Sequence, residues 1–220
     1  MAAPKNVCIR TFASSYESRA ENESGIVEGR PVVLEQVTDL GFCDEVIDKG
    51  ALIGTDLTDV RLCLNHDTSY VYARSRRNNG NSTMQIYTDE QGLGFTAGLN
   101  LAGSPKAQDF YSAVSRGDMD KMSFMFSVDK VQWERLDTEH PLRRIMSIKK
   151  IYEISCVTFP AYEGTSIYSR SDEELDNIRR DMEIARAQQA NSQDSEEKTR
   201  LARARYYYLI TKERKAHEKK

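Results

Sequence analysis

The sequence predicts an α+β fold, mainly β, with about seven strands closed as a barrel or stacked as a sandwich, flanking helices and a C-terminal helical tail. Three observations predict it. From Val32 to Phe159 short apolar runs are separated by turn signals, and one run among them follows a helical period instead. Beyond Ser169 the chain has no Gly and no Pro and is rich in Glu, Arg, Lys and Ala.

The candidate strands in order are PVVLEQV, DVRLCLNH, STMQIYTD, GLGFTAGLNL, KMSFMFSVDKVQW, RRIMSIKKI and YEISCVTF. Between the third and fourth, TDEQGLG supplies the acidic and glycine chemistry of a hairpin turn. The helix lies in SPKAQDFYSAVSRGDM: Ser104 caps it, Pro105 fits its first turn, and Ala107, Phe110, Tyr111 and Val114 share a face before Gly117 ends it. A weaker start, CDEVIDKGAL, reads as one or two helical turns ending at Gly50. In the tail, Ser171 and Glu174 have capping-box spacing, and NSQDS predicts a break. Three segments follow: residues 1–24 as an N-terminal arm, partly disordered, residues 25–169 as the folded domain, and residues 170–220 as the charged tail.

Composition narrows the class of function. A chain of 220 residues suits one good domain plus an appendage. A net charge of −3 speaks against a globally basic nucleic-acid binder. The last 23 residues nonetheless hold nine Lys and Arg against two Glu, which reads as a solvated, partly frayed helix or as an assembly or nucleic-acid contact. No run of about 18 apolar residues exists and the first 25 residues lack a signal-peptide core, so a cytoplasmic protein is expected. Cys8, Cys43, Cys63 and Cys156 are scattered with no CxxC pair, which predicts thiols rather than disulfides.

Three stretches hold chemistry. In LCLNHD, alternation places Leu62, Leu64 and His66 on one face if the strand runs on through the histidine. Cys63 and His66 have the spacing of half a zinc site, but no second ligand pair follows. In GDMDKMSFMFSV, Met122, Phe124, Phe126 and Val128 form an apolar face, and Ser123 stands at the strand entrance on the other. In YEISCVTF, Glu153 lies inside an apolar strand, where a carboxylate needs a partner. Arg143, Arg144 and the imidazole of His66 are the candidates.

Taken together, these stretches resemble the prohead (capsid maturation) serine proteases of tailed bacteriophages, which are distantly related in fold to herpesvirus assemblin. The resemblance runs from about Gly25 to Ser166. Its elements come in the family's order: DEVIDKGAL, LNHD, DEQGLGF, SRGDMDKMSFMF and YEISCVTFPAYEGT. It implies an assemblin-like barrel and a Ser-His-Glu triad, with His66 as general base, Ser123 as nucleophile and Glu153 as third member. Assemblin uses a second histidine in that last role, which makes His140 the competing candidate. Asp67, next to His66, points to the other face of an extended strand and is the poorer partner. A pair of amides near Arg143 and Arg144 is the expected oxyanion hole. Met125 departs from the glycine usual after the SF of the nucleophile segment.

The implied activity is a serine endopeptidase that cleaves the scaffold, or the scaffold-like part of the major capsid protein, and itself, inside the immature head in the host cytoplasm. Major capsid protein and scaffold are the implied partners, with a homodimer or higher oligomer by analogy with assemblin. No cofactor, metal, membrane or nucleic-acid partner is expected. The competing reading is a non-catalytic head-assembly or scaffolding protein that retains the protease fold, with Met125 blocking its site.

Overall fold

A computed structural model describes residues 7–12, 19–21, 25–76, 81–158 and 172–217. In chain order its elements are β1 (Val7–Phe12), β2 (Arg19–Glu21), β3 (Ile26–Val33), β4 (Thr38–Asp39), β5 (Asp44–Ile47), β6 (Asp59–Leu64), β7 (Ala73–Arg76), β8 (Met84–Asp89), β9 (Gly92–Gly98), α1 (Pro105–Ser115), β10 (Lys121–Glu134), β11 (Leu142–Val157) and α2 (Asp172–His217). The described residues fall into two compact units, one ending at residue 175 and one beginning at 176.

The strands form two sheets, without a closed barrel among the described residues. A seven-stranded sheet has the order β1-β10-β11-β5-β4, with β6 also pairing β11 and β7 pairing β6; a four-stranded sheet has the order β2-β3-β9-β8. The mainly β, α+β architecture is the one expected. The long β10–β11 hairpin forms its spine, and the sequence run RRIMSIKKI continues into YEISCV as one strand, β11.

Local chemistry accounts for the elements that position the site. Met122, Phe124 and Phe126 are fully buried on one face of β10, with Ile145, Ile148, Ile151 and Ile154 of β11 in the same core. That leaves Ser123 on the opposite face. Helix α1 forms as expected: Ser104 Oγ accepts from Ala107 N at 3.2 Å, Pro105 opens the first turn, and Ala107, Phe110 and Val114 are buried. In the β8–β9 hairpin, Asp89 Oδ1 accepts from the amides of Gln91 and Gly92 at 2.9 and 3.1 Å, and Arg30 clamps the same carboxylate. Gly92 is required there, since its φ is +143° and an added Cβ would lie 2.0 Å from the Val32 carbonyl oxygen.

Four expectations are corrected. DEVI of CDEVIDKGAL is a strand, because β5 pairs in parallel with Leu142–Ile145 and buries Val46 and Ile47, so tertiary pairing overrides a weak local signal. The expected N-terminal arm contributes two strands; β1 lies antiparallel to β10, from Val7 opposite Ser127 to Phe12 opposite Met122. Arg143 and Arg144 lie within β11, paired on one side with Trp133 and Gln132 and on the other with Glu45 and Val46, so their amides belong to ladders and not to an oxyanion loop. Helix α2 runs without a break through 191–195, where Ser192 Oγ donates to the Gln188 carbonyl; polar residues of moderate propensity do not end a helix as Gly or Pro does. Ser171 lies outside the described residues; Glu174 accepts from Arg10 Nη1 at 2.6 Å.

Candidate active site

The site begins where β6 ends. β6 runs parallel to β11 with Leu62 opposite Ile154 and Cys63 opposite Ser155, and Asn65 N still donates to the Cys156 carbonyl at 2.9 Å. Paired residues face the same side, so Leu62 looks into the core with Ile154, while Cys63 shares the other face with Ser155 and Glu153.

Two consecutive residues then adopt left-handed backbone, Asn65 at φ 48° and His66 at φ 61°. This conformation is costly for residues other than glycine, and asparagine tolerates it best. Asn65 is held in it by its own side chain, whose Oδ1 accepts from Thr158 N at 2.9 Å. Asp67 closes the turn, accepting from Ser69 N and Ser69 Oγ, which holds its carboxyl below the usual range. The loop is also tied to α1, where Tyr70 Oη lies 2.6 Å from Ser104 Oγ.

The turn carries His66 to the face opposite the leucines. Strand alternation predicted the leucine face; the strand stops at Leu64, and the left-handed pair swings the imidazole over Glu153. His66 Nδ1 lies 2.5 Å from Glu153 Oε1, and the carboxylate is 1% exposed. Glu153 therefore has its partner in His66. Arg143 pairs instead with Glu45, and Arg144 with Glu134 and Glu35.

An ionised carboxylate only accepts, so Nδ1 carries the proton and Nε2 presents its lone pair. Nε2 is buried and has no hydrogen-bond partner among the described residues. Ser123 stands directly opposite Ser155 in the β10–β11 ladder, two positions from the Met125–Glu153 pair, so its side chain shares the face of Glu153. It is fully buried, and its Oγ donates to the Arg10 carbonyl of β1 at 2.9 Å. The hydroxyl-to-imidazole hydrogen bond is thus not made in this arrangement, as is common in free enzymes.

His140 lies elsewhere. Its Nε2 is 3.1 Å from Asp44 Oδ1 and 3.4 Å from Asp39 Oδ1. Asp67 accepts from Ser69 N and Oγ. Cys63 is buried beside Glu153, and burial first, then that carboxylate, pushes its thiol up to about 12, so it stays protonated and offers no rival nucleophile.

Ser155, absent from the sequence reading, accepts from His66 N at 3.1 Å and donates to Glu153 Oε2 at 2.6 Å. The signal was its two-residue spacing from Glu153 on a strand, which puts both on one face.

A buried carboxylate that fixes an imidazole as its Nδ1–H tautomer, on the sheet face of a strand-entry serine, is what a triad-type serine hydrolase requires. The chain belongs to the caudovirus prohead serine protease family, whose family model matches residues 13–180, and it is accordingly a serine protease of phage capsid maturation. No curated protein and no solved structure matches it.

Proposed function

We propose that the chain is the endopeptidase that cleaves scaffold, or the scaffold-like part of the major capsid protein, and itself, inside the immature head, with Ser123 as nucleophile, His66 as general base and Glu153 as third member. The observation that carries this reading is the His66–Glu153 contact, reached only through two left-handed residues.

The chemistry follows from the geometry. Ser123 Oγ attacks the scissile carbonyl as its proton passes to His66 Nε2, and Glu153 stabilises the imidazolium so formed. The imidazolium gives that proton to the leaving amine as the C–N bond breaks, leaving an acyl ester on Ser123. Water then attacks the ester, His66 takes its proton and returns it to Ser123, and the free acid departs. Before the first step Ser123 must exchange the Arg10 carbonyl for His66 as its acceptor.

In this reading residues 25–169 form the catalytic domain and residues 170–220 an assembly handle or removable segment. A second copy of the chain is the partner that the assemblin analogy supplies.

The test is intact mass of wild type, Ser123→Ala and His66→Ala, each mixed with assembled capsid and scaffold proteins of the same phage. Discrete fragments from wild type alone are expected. Equal cleavage by Ser123→Ala overturns the assignment, and no cleavage by any of the three favours the head-assembly reading.

A further inference from the structure

Ser155 does more than fill a strand position. It is fully buried, and its one hydroxyl spans two groups of the proposed triad. The proton goes to Glu153 Oε2 at 2.6 Å, and a lone pair receives the His66 amide at 3.1 Å. Glu153 then has both oxygens engaged, Oε1 by His66 Nδ1 and Oε2 by Ser155. The bond to the His66 amide falls at the second of the two left-handed residues, a conformation that persists only where the surroundings hold it.

We propose that Ser155 is a positioning residue of the protease: by bridging the His66 amide and the second oxygen of Glu153, it fixes the histidine's backbone and its carboxylate partner in one geometry. The inference rests on the assignment of Ser123, His66 and Glu153 given above. Without the hydroxyl, the carboxylate turns more freely about its terminal torsion and the partly buried His66 amide loses its acceptor. The imidazole then points Nε2 at Ser123 for a smaller share of the time, and misplacement of this kind costs rate rather than binding.

The test follows the second-order rate at which an aryl fluorophosphonate modifies Ser123, a reaction in which the Oγ–P bond forms, the P–F bond breaks, fluoride leaves and His66 takes the hydroxyl proton. Ser155→Ala is expected to react about 10- to 100-fold more slowly than wild type. Ser155→Thr, which keeps the hydroxyl, is expected to recover most of that loss. A structural role is separated by a double-mutant cycle. In a Glu153→Gln background, Ser155→Ala should change the rate less than about threefold, because the group it positions is already impaired.

The same fold-loss in both backgrounds, or wild-type rates in Ser155→Ala, overturns the proposal. Circular dichroism melting of each variant identifies any that fail to fold, and the threonine variant then carries the comparison by its rate relative to wild type. Failure of the underlying assignment looks different: wild type and His66→Ala would react alike, whatever stands at position 155.

Discussion

His66 Nδ1 and Glu153 Oε1 lie 2.5 Å apart although 87 residues separate them in sequence. The contact fixes the tautomer in which Nε2 can accept a proton, and an amide at position 153 would permit the other tautomer. Glu153→Gln is therefore expected to fold normally and to lose about 10³- to 10⁴-fold in kcat, with KM little changed. Steady-state cleavage kinetics alongside thermal melting check it.

The left-handed turn gives a second prediction. Asn65 holds φ 48° and anchors to Thr158 N. A β-branched residue there meets the steric penalty and loses the anchor, so Asn65→Val is expected to cost about 1–3 kcal/mol in denaturant unfolding. Asn65→Gly relieves the backbone and is expected to cost less than Asn65→Val, while both variants lose reaction rate because His66 is no longer held.

A buried ionic cluster supports strand β10. Glu45 is 2% exposed and binds Arg10 of β1 and Arg143 of β11, while the Arg10 carbonyl accepts from Ser123. Removing the shared carboxylate leaves two buried guanidinium groups without that partner. Glu45→Ala is expected to destabilise the fold by roughly 3–5 kcal/mol, measured by urea unfolding.

Acid should weaken the fold through a surface pair. Asp56 bonds Lys150 Nζ at 2.5 Å as well as Thr58, and these bonds, Lys150 first, lower its carboxyl from 3.8 to about 2. The unfolded chain binds that proton more readily, so the stabilisation is present above about pH 4 and is lost as pH falls toward 2. Asp56→Asn should flatten that part of the stability profile, read as melting temperature against pH.

Much of this was legible in the sequence, and the exceptions have physical causes. Helix α1 and the β8–β9 hairpin were readable because cap, proline and glycine chemistry is local. The apolar face of Met122, Phe124 and Phe126 was readable because period-two burial is written directly in β10. β1 escaped notice because its buried face holds only Cys8 beside Arg10, whose burial depends on Glu45 and Glu174 far along the chain. β5 escaped because only its parallel partner makes DEVI a strand. His66 was read onto the leucine face and lies on the other, since nothing in NHD announces two left-handed residues in succession. Ser155 was passed over because its two-residue spacing from Glu153 gives a shared face but not what its hydroxyl will meet.

The most direct measurement of the central claim is peptide mapping after reaction with a fluorophosphonate, on wild type and His66→Ala. The account predicts one adduct, on Ser123, in wild type and almost none in the histidine variant. An adduct on another serine, or equal modification of Ser123 in both proteins, would contradict it.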